Sequence, residues 1–214
     1  MTDKTKVHTQ YRLKDGTRVP GTTTVIGVLG KDAIVHWAWQ QGLENRDYRK
    51  VRDAAGDIGT LVHYMLMCHL TNTTSDVRDY SLNDIAQAHS CLQSYFEWEK
   101  EHKVEPILVE TPLVSEIHRF GGTPDLLARV DGVDTLCDFK TSKGIYDEMI
   151  IQVASYRGLL VEAGYRVDRV RILRIPKVEG DNFEDVMVTG KLDAGWKIFL
   201  NCLSIYQSLK ELRT

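Results

Sequence analysis

The 214-residue chain lacks several features that would assign it to a common class of protein. It has no excess of positive charge, because 27 lysines and arginines face 30 aspartates and glutamates, for a net charge of −3. This balance argues against a protein that coats nucleic acid through bulk positive charge, but it leaves room for a local basic groove. The four cysteines form no CxxC pair and lie in apolar or periodic segments. Buried free thiols are therefore expected, rather than disulfides, zinc or an iron–sulfur cluster.

Long apolar runs and nucleotide-binding loops are also missing. No segment is long and apolar enough to span a bilayer, so no membrane contact is expected. The opening residues, MTDKTKVHTQYRLKDG, have no apolar core, which argues against a signal peptide and favours a cytoplasmic location. No GxxxxGK loop is present, so neither ATP nor an ATP-driven motor is expected on this chain.

The order of the patterns predicts an α/β (α+β) fold, residues 1–214 forming a single domain with a mixed central sheet flanked by helices. Residues 1–103 are predicted to be a mainly helical N-terminal part that opens with a small hairpin. Residues 104–190 are predicted to hold antiparallel strands, a helix and further strands. Residues 191–214 contain a closing helix.

The stretch TPDLLARVDGVDTLCDFK, residues 123–140, predicts two strands joined by a tight Asp131-Gly132 turn. With a two-residue loop, the register places Asp125 directly opposite Asp138, and Lys140 on the same face as Asp138. Side chains that face each other in this way have Cβ atoms roughly 5 Å apart, at which distance like charges repel. An exposed pair would tolerate this at slight cost, but the apolar residues before Asp138 indicate a buried strand.

A divalent cation between the two carboxylates would offset their repulsion, because hard oxygen ligands suit Mg²⁺ or Mn²⁺. A metal held in this way lowers the pKa of a bound water and neutralises charge on a phosphate. A lysine on the same face can orient the attacking hydroxide and stabilise the negative transition state. The two aspartates and the lysine therefore predict phosphodiester hydrolysis without a covalent enzyme intermediate.

These residues resemble the PD-(D/E)xK nuclease superfamily, with Pro124-Asp125 as the first half of the motif and Asp138-Phe139-Lys140 as the second. GTLVH, residues 59–63, resembles the helix motif of the RecB-like branch, and QVASY, residues 152–156, resembles its QxxxY motif. The stretch VPGTTTVIGVLGKDAIVHWA is similar to the opening of phage-type members. The resemblance spans roughly residues 19–177 and implies a restriction-endonuclease-like core.

For single residues, the resemblance implies a metal-dependent active site. Asp125 and Asp138 would bind the metal with the Phe139 backbone carbonyl as a further ligand, and Lys140 would be the catalytic lysine. His63 would add a metal contact from the helical side, although a lone histidine on an apolar helix is otherwise a satisfied core residue.

Further polar residues are expected around this centre. Glu110 would either touch the metal shell or simply form a hydrogen bond, and Glu116 is a weaker acidic candidate. Gln152 and Tyr156 are four residues apart and share a helix face, from which they would reach the active site and the DNA backbone. The alternative for this pair is one polar residue and one ordinary half-buried tyrosine.

Basic and hydroxyl side chains flank the motifs and could contact DNA phosphates, which fixes position without reading sequence. The residues predicted to do so are Thr141, Ser142, Lys143, Arg49 and Arg52. The arginines from Arg166 to Arg174 are expected to form a solvated charged surface instead. For Lys177, contact with phosphate and contact with solvent both stay open.

The resemblance implies an Mg²⁺- or Mn²⁺-dependent deoxyribonuclease, an exonuclease of recombination, repair or end-resection in a bacterial or phage-infected cell. Such enzymes often work beside a strand-annealing protein. The chain lacks the cysteine spacing with which some relatives hold an iron–sulfur cluster. The alternatives are a structure-specific or restriction-like endonuclease and a DNA-binding module without catalysis. The sequence does not determine polarity, strand preference, DNA versus RNA, or oligomeric state.

Overall fold

The computed structural model describes residues 9–30, 32–177 and 181–213, and only the backbone of residues 32–34 and 54–55. Residues 1–8, on which the argument against a signal peptide partly depends, lie outside the described residues. In chain order, the elements are β1 (Tyr11–Arg12), β2 (Arg18–Val19), α1 (Thr22–Ile26), α2 (Asp32–Leu43), α3 (Tyr48–Leu70), α4 (Leu82–Glu101), β3 (Val104–Val109), β4 (Leu113–Ser115), β5 (Phe120–Gly122), β6 (Leu126–Val130), β7 (Val133–Lys140), α5 (Asp147–Glu162), β8 (Arg169–Arg174), β9 (Glu184–Met187) and α6 (Leu192–Glu211).

A five-stranded mixed sheet with the order β3-β6-β7-β8-β9 forms the centre of the molecule. The neighbours β7 and β8 run parallel, and α5 connects them. The other three pairs are antiparallel. The prediction of a mixed sheet flanked by helices is therefore confirmed.

Helices cover both faces of this sheet, because side chains alternate along each strand. On β7, Cys137 and Phe139 join a core that also contains buried residues of α3 and α4. Leu136, on the opposite face of β7, joins a second core with buried residues of α5 and α6. Both faces of the central strand are thus closed to water, as the apolar run around Asp138 indicated.

The β6–β7 hairpin has the predicted two-residue loop. Val130 pairs with Val133, and both Asp131 and Gly132 have positive φ angles, 50° and 81°, as a type I′ turn requires. The ladder ends at the pair Leu126 and Cys137. The predicted register is therefore confirmed up to the pair next to Asp125 and Asp138, and the chain bends at Asp125 before β6 begins.

The N-terminal part contains a small hairpin, β1–β2, as expected. The charged stretch before the His63 motif forms the first turns of α3. The Asp47 side chain caps this helix by accepting a hydrogen bond from the Arg49 backbone N–H at 2.9 Å. All 23 residues of α3 therefore form one continuous helix that carries His63 to the sheet.

Two predictions about side-chain environment have different outcomes. The four cysteines are buried free thiols, as expected. The prediction of a solvated surface for the late arginines is wrong for Arg171 and Arg174, which are 9% and 2% exposed. Strand β8 is an inner strand, and the adjoining β9 supplies carboxylates such as Glu184, directly across the ladder from Arg174.

Among the described residues, no helix combines the length and apolar character that crossing a membrane requires.

Candidate active site

The last residues of β7 bring an acid and a base onto one face of the sheet. Asp138 is fully buried, and its Oδ2 forms an ion pair with the Nζ of Lys140, two residues along the strand. Within the described part of the chain, Asp138 Oδ1 has no hydrogen-bond partner. A buried carboxylate oxygen without a partner is costly, so this atom indicates a missing ligand.

Asp125 is held at the same end of β7 by backbone hydrogen bonds. Its Oδ2 accepts a hydrogen bond from the Phe139 backbone N–H at 2.7 Å. Its carbonyl oxygen accepts one from the Glu110 backbone N–H at 2.9 Å. Glu110 follows β3 and has a φ of 44°, in the left-handed region that costs free energy for a residue other than glycine. The bend at Asp125 and the end of β3 are thus fixed together.

Three ligand-type side chains from three parts of the chain meet here. His63 Nδ1 lies 4.0 Å from Glu110 Oε1 and 3.9 Å from Asp125 Oδ2. One ligand atom from each residue falls within 4.8 Å of the other two. Helix α3 positions His63, whose ring packs edge-on against Phe139 with the ring centroids 6.3 Å apart. Glu110, for which sequence left two roles open, therefore belongs to this group, whereas Asp138 adjoins it through Lys140.

The pKa values of the acidic side chains show that this site disfavours their negatively charged forms. Burial raises the pKa of Glu110 to about 8, and repulsion from Asp125 and Asp138 adds to this effect. Burial also raises the pKa of Asp138 to about 6 despite the nearby Lys140 ammonium, and raises that of Asp125. A divalent cation would reverse these shifts by stabilising the carboxylates.

His63 is suited to metal binding by its charge state. Burial lowers its pKa to about 4, and the positive charge of Lys140 contributes. The imidazole is therefore neutral at physiological pH, which is the form that binds a metal. Burial opposes the charged form of Lys140, but the Asp138 and Asp125 carboxylates raise its pKa above the usual value. A divalent cation thus fits this donor set, which consists of the carboxylates of Glu110, Asp125 and the buried Asp138 and of the neutral His63 imidazole.

Gln152 and Tyr156 share one face of α5, as their spacing predicted. The Gln152 Nε2 donates a hydrogen bond of 2.8 Å to the Tyr156 hydroxyl. Burial raises the pKa of Tyr156 well above its usual value, and the Asp138 and Asp125 carboxylates add to this. The tyrosine ring packs so closely on Gly122 that a Cβ there would lie 2.7 Å from its Cε1. The Gln152–Tyr156 pair is therefore held in place, and its tyrosine interacts electrostatically with Asp125 and Asp138.

A cavity of about 540 Å³ opens beside the cluster, between α3 and the end of β7. Its lining consists of Gly56, Gly59, Thr60, His63, Phe139, Lys140, Thr141, Ser142 and Lys177. Gly59 of the GTLVH motif has a steric reason to be glycine, because a Cβ would lie 2.7 Å from Thr141 Oγ1. Thr141 and Ser142 thus line the cavity, whereas Lys143 is exposed and does not.

The structure does not bring every predicted residue to the site. Arg49 and Arg52 are exposed on the first turns of α3, about 16–21 Å from His63 along the helix axis. Glu116 lies near the β4–β5 turn, where its carboxylate accepts a hydrogen bond from the Lys14 backbone N–H. Sequence analysis left Lys177 open, because nothing in the local sequence indicates that the chain after β8 returns to the cavity.

Neither a protein-family model nor a curated protein sequence matches the chain. Among solved structures, it is similar to a candidate exonuclease from Eubacterium rectale, with a TM-score of 0.52 and 11% identity over 73% of this chain and 69% of that one. LHK-Exo, an alkaline exonuclease from Laribacter hongkongensis solved in complex with dAMP, has a TM-score of 0.40 and 13% identity over 90% and 89% of the two chains. The second value does not establish a common fold. The first shows that the chain shares the mixed α/β fold of the Eubacterium rectale protein.

Proposed function

We propose that the protein is a metal-dependent deoxyribonuclease that hydrolyses DNA phosphodiester bonds as an exonuclease. The observation that carries the proposal is the convergence of Asp125, Asp138 and Lys140 at the end of β7, with His63 and Glu110 beside them. The fold shared with a protein that is itself a candidate exonuclease adds support. Nothing about this donor set favours a redox or nucleotide-dependent reaction.

Each side chain has a role that follows from its position. His63, Glu110 and Asp125 would hold a divalent cation, with Asp138 and the Phe139 carbonyl as further ligands. Bound Mg²⁺ or Mn²⁺ would supply an activated water and neutralise phosphate charge. The Lys140 ammonium, held by Asp138, is oriented to stabilise negative charge that develops on the phosphate. The Gln152–Tyr156 pair would position the DNA backbone from α5.

The finer assignment is also a proposal. From the order of the motifs we propose that the protein belongs to the RecB-like, phage-type branch of the PD-(D/E)xK superfamily, which implies work in recombination, repair or end-resection. A strand-annealing protein would be its partner on DNA. The four buried free thiols agree with a reducing compartment, so we propose that it acts in the cytoplasm of a bacterial or phage-infected cell.

The test uses purified protein and end-labelled linear DNA, single- and double-stranded and labelled at either end. Reactions contain Mg²⁺, Mn²⁺ or a chelator. We expect progressive loss of label from one end with either metal and no cleavage with chelator. Intact substrate under all conditions would overturn the proposal, as would cleavage that a chelator leaves unchanged.

Covalently closed circular DNA distinguishes the two kinds of nuclease. An exonuclease needs an end, so closed circles should survive while the same DNA, linearised, is degraded. Cleavage of the closed circle at a comparable rate would instead indicate an endonuclease. DNA binding without cleavage of either form would indicate a module that keeps the fold but lacks the activity.

A further inference from the structure

The cavity beside the candidate active site has a different electrostatic character from the metal-ligand cluster. The cluster contributes three carboxylates, from Glu110, Asp125 and Asp138, whereas no acidic side chain is among the described residues that line the cavity. Two lysines line it, Lys140 from β7 and Lys177 from the segment after β8. Lys140 is paired with Asp138, but the Lys177 ammonium adds positive charge beside a site for a divalent cation, which is an environment for an anion.

Lys177 is placed in this space by the packing of its neighbours. Its backbone carbonyl accepts a hydrogen bond of 3.4 Å from the Gln87 side chain of α4, which ties the segment after β8 to the helical layer. The side chain is half-buried, and burial lowers the pKa of its ammonium group. A partly desolvated ammonium interacts with an anion more strongly than one in bulk water.

The hydroxyl groups in the cavity are not equivalent. Thr60 Oγ1 donates to the Gly56 carbonyl within α3, and Ser142 Oγ donates to the Gly144 carbonyl. Thr141 Oγ1 forms no hydrogen bond within the described residues, although the close approach of Gly59 fixes its surroundings. Thr141 is therefore the hydroxyl whose proton is available to a ligand.

The size of the cavity suits a single nucleotide unit. A volume of about 540 Å³ falls within the 300–1,000 Å³ range typical of sites for small organic ligands, and a nucleotide unit is of this size. Since Lys140 and His63 line the same cavity, a nucleotide unit that occupies it also adjoins the candidate catalytic residues.

We infer that this cavity binds a nucleotide unit of a single DNA strand, and that the Lys177 ammonium and the Thr141 hydroxyl hold the phosphate that neighbours the scissile one. This inference rests on the proposed nuclease function and adds to it a binding subsite for one strand. Lys177 would act on substrate binding, whereas Lys140 would act on the chemical step.

The first test measures binding of a fluorescent single-stranded 12-mer by anisotropy, with Ca²⁺ in place of Mg²⁺, at several salt concentrations. Lys177→Gln should weaken binding about 10-fold, as expected for a lost charge-assisted hydrogen bond. It should also make the slope of log K against log [salt] shallower by about 0.7, the value for one phosphate of a single strand. Lys191→Gln, which removes an exposed lysine from the turn before α6, is the matched control and should change neither quantity.

The second test separates binding from catalysis and one strand from two. On the single-stranded 12-mer with Mg²⁺, Lys177→Gln should raise KM about 10-fold with little change in kcat, as expected for an interaction made equally in ground and transition states. The same variant should not alter binding to a dumbbell duplex that has no free end. Circular dichroism and thermal unfolding establish that the variant is folded.

The outcomes distinguish this inference from the proposed function. If the wild-type protein cleaves DNA but Lys177→Gln keeps its affinity, salt slope and KM, the subsite is disproved and the nuclease proposal stands. An equal loss of affinity for the dumbbell would disprove the single-strand assignment. If the wild-type protein neither binds nor cleaves DNA, the proposed function fails and the subsite fails with it.

Discussion

The Phe139 backbone N–H donates a hydrogen bond of 2.7 Å to the Asp125 carboxylate, and this bond joins the two halves of the candidate site. It connects the bend before β6 to the strand that carries Asp138 and Lys140 on either side of Phe139. The main chain of β7 therefore orients one carboxylate while its side chains supply the other carboxylate and the ammonium group. Such backbone anchoring keeps ligand geometry rigid, which a preorganised site requires.

Lys140→Ala should reduce DNA cleavage by at least about 100-fold, because it removes a fixed positive charge from the site of the developing phosphate charge. DNA binding should largely survive, since other cationic and hydroxyl groups line the cavity. Initial cleavage rates and anisotropy measure the two effects separately. The control is Lys197→Ala at an exposed position on α6. Unchanged cleavage, or a parallel loss of binding, would contradict the role given to Lys140.

His63→Ala should weaken binding of Mn²⁺ by at least about 10-fold, because it removes the neutral nitrogen ligand of the cluster. Isothermal titration calorimetry gives the affinity directly. The rise in thermal midpoint on adding Mn²⁺ gives a second measure, since a ligand of the folded state stabilises it by an amount that grows with the logarithm of its concentration relative to Kd. His36→Ala, an exposed position on α2, should bind Mn²⁺ like the wild type. Equal affinities for all three proteins would place the metal elsewhere.

The stability of the chelator-treated protein should fall as pH rises from about 6.5 to 9. The pKa of Glu110 is about 8 in the folded protein and near 4.5 when unfolded, so the folded state binds the extra proton between these values. Its contribution to stability is complete below the unfolded pKa and is lost as pH passes through the folded pKa. His63 acts in the opposite direction, because its folded pKa of about 4 lies below its ordinary value of 6.5, and its effect fades above about pH 7.5.

Urea unfolding at pH 6.5, 7.5 and 8.5 measures this dependence. Glu110→Gln should flatten it, because the amide does not titrate, and saturating Mn²⁺ should abolish it by stabilising the carboxylate. A slope that the substitution leaves unaltered would mean that another group causes it. The measured affinity for Mn²⁺ should increase over the same pH range, because metal binding must displace the Glu110 proton.

Much of the architecture follows from local sequence signals. The Asp131-Gly132 turn fixed the β6–β7 register, and Gly164 ends α5 with a φ of 90° and with the Tyr165 N–H bonded to the Leu160 carbonyl. The alternation along β7 placed Asp138 and Lys140 on one face. These features depend on a few neighbouring residues, so the sequence contains what determines them.

Features that depend on distant parts of the chain were not predictable in the same way. Asp125 lies beyond the last pair of the β6–β7 ladder, and its carbonyl accepts a hydrogen bond from Glu110, the residue after β3. Lys177 reaches the cavity only because β8 lies parallel to β7 and ends beside it. Arg171 and Arg174 look like surface residues in a strand pattern, since the carboxylates that neutralise them come from β9 and from Asp181 before it, at least seven residues later.

Arg174→Met should lower the free energy of unfolding by about 2 kcal/mol. The guanidinium is 2% exposed and pairs with Asp181 at 2.7 Å and Glu184 at 2.7 Å. It also donates to the Asn182 carbonyl, so its loss leaves several acceptors without a partner. Because both carboxylates are partly exposed and can regain water, the cost should be below that of breaking a fully buried pair.

The measurement is urea unfolding followed by circular dichroism, with Arg166→Met as the matched control. Arg166 is exposed and pairs only with the nearby Asp168 among the described residues, so its loss should cost less than about 0.5 kcal/mol. Arg174 also affects the cavity. Its Nη1 donates a hydrogen bond of 3.4 Å to the carbonyl of Ser142, the residue next to Thr141. Arg174→Met should therefore raise KM for single-stranded DNA as well, whereas Arg166→Met should not. If both substitutions lowered the free energy of unfolding equally, the buried ion pairs of Arg174 would stabilise the fold no more than an exposed pair does. That result would contradict the prediction.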